Sequence, residues 1–301
     1  MRKSVVCLFF SLISLVATAA ESDSSVVFKA SFLKNELQNY EISRALYTIH
    51  KGDTTSLEKL GFQADVYVKD STENYYLLTW RFSKFRINTD NLKLRQLIAL
   101  AKPIEINYRI TKPGVLIDFL NGETVTTCLE EALPQVLSTF ANQKGPDNKA
   151  EVASIYDMRE TVETLMLRTI TQFHQAYGLG YTLGEIVDVP TVVNSQYTTK
   201  PINGIIRKKL VRIDSENHFA ILSTATFLDN KEFRKGFIDY MKIDSIPDSS
   251  INQENMGSVI MDLTTGWVLW TFDQRDTRLG NDIYGELIEI KHMDDMPQTT
   301  K

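Results

Sequence analysis

Two aspartates stand where paired carboxylates could do acid–base work. Asp118 closes the run Gly114-Val115-Leu116-Ile117-Asp118, and Asp262 closes Gly257-Ser258-Val259-Ile260-Met261-Asp262. A turn glycine, Gly122 or Gly266, follows each. A glycosidase needs two carboxyl groups about 5 to 10 Å apart, one to protonate the leaving oxygen and one to act as base or nucleophile. Asp118 and Asp262 form such an acid pair only if both face one cleft. The plainer role for an aspartate before a hairpin is to hold the turn through nearby backbone amides. The other pairs, Glu130-Glu131, Glu160 with Glu163 and Asp294-Asp295, fall on polar helix faces or in the tail and read as solvated.

Aromatic and small residues suggest a second kind of chemistry, which is binding. Trp267 and Trp270 lie three apart in an apolar run. A strand sends them to opposite faces, one into the core and the other outward as a platform for a sugar or a lipid. Tyr76, Leu78, Trp80 and Phe82 make alternate positions of one strand large and apolar. The counterpart reads Phe219, Ile221, Ser223, Ala225 and Phe227, with small residues in its middle. Ser223 and Ala225 could floor a ligand cavity walled by aromatics such as Trp80. Against this stands the default of tight packing, in which the small residues make room for a helix.

The sequence points to no cofactor and no metal. His50, His174, His218 and His292 are scattered, and no His-Glu-x-x-His, Cys-x-x-Cys or calcium-loop pattern occurs. No Gly-x-Ser-x-Gly elbow precedes a helix. Gly178, Gly180 and Gly184 follow a helix rather than joining strand to helix, the wrong context for a phosphate cradle.

The elements that must position these residues are read from periodicity. Alternation marks strands over 41–50, 62–69, 75–87, 104–110 and 114–120, and again over 204–213, 217–228, 235–243, 257–263, 267–272 and 283–291. Helices are expected over 91–102, 125–142 and about 150–177. In the last, Leu165, Met166, Ile170, Phe173 and Tyr177 continue one apolar stripe that ends at Gly178. The two sets of strands share features. Val68–Leu78 matches Arg212–Leu222 across an Asp-Ser…Glu-Asn turn, and Gly114–Asp118 matches Gly257–Asp262 at the same forward spacing. The order and spacing suggest an internal repeat, with convergent hairpin chemistry as the alternative.

Residues 1–20 read as a cleaved signal peptide: Arg2 and Lys3, an apolar core from Val5 to Val16, then Ala17-Thr18-Ala19. The expectation is an exported protein, periplasmic or extracellular in a Gram-negative bacterium, with no transmembrane segment after cleavage. Cleavage leaves 31 basic against 38 acidic residues, a formal charge of −7, and no long basic run, which argues against nucleic acid as partner. Arg207-Lys208-Lys209 reads as a solvated strand face. Only Cys128 remains, so no intramolecular disulfide forms and stability must come from core size.

The segment from about 178 to 272 resembles the C-terminal part of exported β-rich domains of Bacteroidetes-type Gram-negative bacteria. Leu183-Gly184-Glu185, the strand pair across Asp214-Ser215-Glu216-Asn217 and the hairpin Gly257–Trp267 carry the resemblance. Those domains have no established activity, so no functional residue is transferred. A sheet wrapped on helices also looks like the periplasmic lipoprotein-carrier architecture. The fold expected is α+β: two similar antiparallel β halves (21–123 and 179–301) joined by a helical pair (124–178) packed on one sheet face. The function expected is non-enzymatic binding in the cell envelope, of a lipid or other apolar small molecule or of an envelope protein. The alternatives are a hydrolase of envelope or dietary polymers and a structural or assembly factor.

Overall fold

The computed structural model describes residues 24–88, 95, 102–123, 127, 164–193, 198, 200–242, 244–245 and 251–293. Among the described residues thirteen strands are present: β1 (Ser25–Val27), β2 (Leu37–His50), β3 (Asp53–Ser71), β4 (Tyr75–Asn88), β5 (Ile104–Thr111), β6 (Leu116–Phe119), β7 (Gly180–Thr182), β8 (Ile186–Val193), β9 (Ile202–Asp214), β10 (Phe219–Leu228), β11 (Ile251–Asp262), β12 (Val268–Leu279) and β13 (Asp282–His292). Helix α1 covers 164–174 and α2 covers Asn230–Met241. Apart from Arg95, Lys102 and Thr127, the helices expected over 91–102 and 125–142, and the first part of the one expected from about 150, lie outside the described residues.

Eleven strands form one antiparallel sheet in the order β6-β5-β4-β3-β2-β13-β12-β11-β10-β9-β8. Two meanders therefore meet where β2 pairs with β13, from Asp282 opposite His50 to His292 opposite Tyr40. The two matched polar turns both join hairpins, β3–β4 and β9–β10. The second match is not topologically equivalent: Gly114 lies in the β5–β6 turn with φ +102°, whereas Gly257 lies within β11.

Alternation gives the sheet an inner face. Phe62, Ala64, Val66 and Val68 of β3, Leu78, Trp80 and Phe82 of β4, and Ile106, Tyr108 and Ile110 of β5 are all buried on it. From the far side Leu210, Leu222, Val259 and Met261 join the same core. Helix α1 supplies its centre with Leu165, Met166, Ile170 and Phe173, joined by Tyr177 from the turn that follows. The sheet curls around this helix. In a flat sheet β5 and β9 stand eight strand spacings apart, roughly 38 Å. Yet Tyr108 of β5 meets His174 at 2.9 Å, while Lys208 of β9 donates to the carbonyl of Gln175 at 2.5 Å. Lys208 is thus buried against the C-terminal end of α1, where a cation is favoured. Its neighbours Arg207 and Lys209 point outward, as expected for a solvated face.

One end of the curl is sealed by the segment 24–33. Gly178 N–H donates to the Phe28 carbonyl at 2.8 Å, Ala30 N–H to Pro113 at 3.1 Å and Ser31 N–H to Thr265 at 3.1 Å. Phe32 stacks on Trp267 with ring centroids 3.7 Å apart. Gly266, with φ +74°, is needed there, because a Cβ would lie 2.1 Å from the Lys29 carbonyl oxygen.

Residues 235–241 of the run expected as a strand over 235–243 belong to α2. Asp229 accepts from the amides of Lys231 and Glu232, and Lys242 ends the helix in the left-handed region with φ 55°. Phe233 and Phe237, one turn apart, bury against Ile202 and Ile251 and form a second, smaller core. The strands β1, β7 and β8 were not expected. Pro190 in β8 is tolerated because β8 is an edge strand.

Candidate functional site

Strands β11 and β12 run from one core to the other across a polar band. Their inner-face rows pair Val259 with Thr271, Gly257 with Asp273, Asn255 with Arg275, Gln253 with Thr277 and Ile251 with Leu279. The first row belongs to the α1 core, and the last lies in the α2 core. The band continues onto β13 and β2 through Tyr284, Glu286, Arg44, Leu46 and Thr48. Here the wall opens into a cavity of about 240 Å³ lined by these side chains together with Ser56 and Glu58 of β3. That is more than the 150 Å³ in which an engineered apolar cavity binds benzene, and somewhat below the usual drug-sized pocket.

The electrostatics of the band are built around Glu286. Arg44 Nε donates to its Oε1 at 2.7 Å, and Arg168 of α1 donates to its Oε2. The other arm of the Arg168 fork donates to Asp273 Oδ2 at 2.7 Å. Burial raises the Glu286 carboxyl pKa, but the charges of Arg168 and Arg44 outweigh it and bring it to about 2. Glu286 is therefore an ionised counter-ion at neutral pH, unsuited to donating a proton. Arg275, opposite Glu286 in the ladder, takes no part in these pairs. Its Nε is buried without a hydrogen-bond partner. Burial and the nearby charge of Arg168 hold its pKa below the ordinary arginine value.

A second polar network fixes α1 to the sheet. Trp80 Nε1 donates to the Tyr108 hydroxyl at 2.8 Å, and His174 Nδ1 lies 2.9 Å from the Gly114 carbonyl. A carbonyl only accepts, so Nδ1 carries the proton and Nε2 accepts from Tyr108 at 2.9 Å. Full burial pushes the His174 imidazole down to about 3, which keeps it neutral.

The structure scatters the residues singled out from the sequence. Trp80 is core: it is fully buried, stacked on Tyr40 and edge-on to Phe173. Ser223 and Ala225 correct the cavity reading, because they lie on the outer face and their neighbours Leu222 and Thr224 point inward. On β10 the even-numbered set Ala220, Leu222 and Thr224 takes the inner face; the bulge in the β9–β10 ladder places its extra residue, Val211, on β9. Trp267 is buried and donates to Glu36 Oε1 at 2.7 Å, whereas half-buried Trp270 donates to Glu289 Oε1 at 2.6 Å. Asp262 accepts from the amides of Thr264 and Thr265 at 2.6 and 2.9 Å, so it holds the β11–β12 turn. Asp118, on the edge strand β6, is paired with Arg109. Each aspartate is engaged in its own local contacts, and neither lines the cavity.

The cavity residues were passed over for identifiable reasons. Arg275 lies beyond the strand expected over 267–272, since β12 runs to Leu279. Arg44 and Glu286 fell inside expected strands, but charged residues in strands read as solvated. Tyr284 between charged residues was the one local signal. Among the described residues no group of three or more His, Cys, Asp or Glu could hold a metal ion, and no helix is long and apolar enough to cross a membrane.

No family model matches the chain, and no curated protein matches its sequence. Among solved structures it is similar to a chain of lipovitellin, from a study of lipid–protein interactions in that protein, at 7% identity and a TM-score of 0.44. The likeness covers 90% of this chain, which spans 26% of the length of that one.

Proposed function

We propose that the protein is a non-enzymatic binding protein of the cell envelope that holds a hydrophobic or amphipathic ligand on the inner face of its curled sheet. The observation that carries this is the cavity between two apolar cores, lined at once by Leu46 and by hydrogen-bonding side chains. Tight packing is the default of interiors, so room left between two cores suits an occupant. Export rests on residues 1–20 alone, and duplication of the halves rests on the paired β3–β4 and β9–β10 turns. The hydrolase reading loses its acids, because Asp118 and Asp262 are each engaged elsewhere. A role in strand-to-strand assembly is disfavoured at β8, where Pro190 interrupts the row of backbone donors along the edge.

Fluorescence titration with the neutral apolar probe N-phenyl-1-naphthylamine tests this reading. Saturable enhancement at one site per chain supports it. Unchanged fluorescence with folded protein contradicts it.

A further inference from the structure

We propose that the space beside Arg275 is an oxyanion site, and that it takes the carboxylate or phosphate headgroup of an amphiphile. The proposal rests on the binding reading above and names the chemistry of its ligand. A guanidinium brought out of water needs a counter-ion, and buried charges in proteins are almost always paired. Arg275 makes no direct ion pair among the described residues, although the charges of Asp273 and Glu286 are near enough to favour its cation. Glu286, its ladder neighbour, already spends both oxygens on Arg44 and Arg168, and Asp273 is held by Arg168.

The arrangement therefore leaves a guanidinium lining the cavity with its Nε unpartnered, while the two neighbouring carboxylates are hydrogen-bonded to other arginines. A guanidinium matches a carboxylate or phosphate in two parallel hydrogen bonds. The surroundings add donors: the Tyr284 and Thr48 hydroxyls line the same space, and Glu286 beside them is bonded to Arg44 and Arg168. Glu58 also lines it, from an exposed position on β3, two strands from Glu286. With Glu58 counted, the three arginines face three carboxylates, so the case stands on local pairing at Arg275 and not on net charge.

The flanks point to an amphiphile as the source of the anion. Leu46 lines the cavity, and one row beyond Thr277 begins the apolar core of Ile251, Leu279, Phe233 and Phe237. A space of about 240 Å³ takes a headgroup and a short length of chain. A free oxyanion would leave the apolar wall without a partner.

Isothermal titration of the full mature chain with octanoate, octyl phosphate, octanol and inorganic phosphate tests this. Both charged amphiphiles should bind at least about tenfold more tightly than octanol. In Arg275→Gln the preference should fall to about twofold or less with octanol affinity unchanged, and Arg275→Lys should retain part of it. Urea unfolding without ligand should show Arg275→Gln at least as stable as the wild type, because an uncompensated cation has been removed. A lower midpoint would make Arg275 a structural residue and overturn the proposal. Equal binding of octanol and octanoate would overturn it too, leaving the binding reading intact. Phosphate alone binding as tightly as octyl phosphate would overturn the amphiphile as the source. If none of the ligands binds, the binding reading fails with it.

Discussion

Lowering the pH from 7.5 to 5 should destabilise this protein through His174. The imidazole is buried and neutral, with Nδ1–H donated to Gly114 and Nε2 accepting from Tyr108. Its folded pKa is about 3, against the ordinary value of 6.5. The unfolded chain therefore binds the proton first as pH falls, and stability is lost progressively from about pH 6.5 down to about 3. At pH 5 the linkage penalty is about 2 kcal/mol, and any folded value below about 4 gives the same figure. At pH 7.5 it is below about 0.1 kcal/mol. The pair-stabilised carboxylate Glu286, held at about 2, loses its contribution only as pH falls below its ordinary value of 4.5. The interval from 7.5 to 5 is therefore free of it. Urea unfolding followed by tryptophan fluorescence measures the effect. With a slope of about 3 kcal/mol/M the midpoint should fall by about 0.7 M. In His174→Gln, which keeps a donor and an acceptor but no titrating proton, most of that pH dependence should vanish. A wild-type midpoint unchanged between pH 7.5 and 5, or the same shift in the variant, would refute the assignment of a buried neutral His174.

Arg168→Met strips Glu286 and Asp273 of a shared partner and should cost about 3 kcal/mol by urea unfolding. Gly266→Ala places a Cβ 2.1 Å from the Lys29 carbonyl oxygen at a positive φ, and should lower stability by about 2 kcal/mol or more, with loosening of 24–33 visible in hydrogen exchange. Asp262→Ala removes two amide acceptors from the β11–β12 turn and should cost about 1 kcal/mol in the same assay. Asp118→Asn, at an exposed pair, should leave the urea midpoint within about 0.5 kcal/mol of the wild type.

The strands were legible where one face is apolar and the other wet. Phe62–Val68 and Tyr76–Phe82 alternate without interruption, and a period of two has one physical reading. The α1 stripe was legible for the same reason. The sequence failed where a local feature overrides the period. In 235–241 the cap at Asp229 and the turn-spaced Phe233 and Phe237 decide for a helix, although a short apolar run fits a strand as well. On β10 the odd-numbered set carries the aromatics Phe219 and Phe227, yet the inner set is Ala220, Leu222 and Thr224, which leaves Ser223 and Ala225 outside. The cavity was illegible because its chemistry is not local. Arg275, Arg44 and Glu286 come from three strands, and only the curl of the sheet and the pairing at Arg168 reveal which cation is left over. Neither distance along the chain nor residue type carries that information.

Native mass spectrometry of the protein, purified under mild conditions from the cells that make it, tests the central claim most directly. The account predicts a mass excess that organic extraction removes and that corresponds to an acidic amphiphile. A clean ligand-free mass that stays unchanged after incubation with octyl phosphate would contradict it.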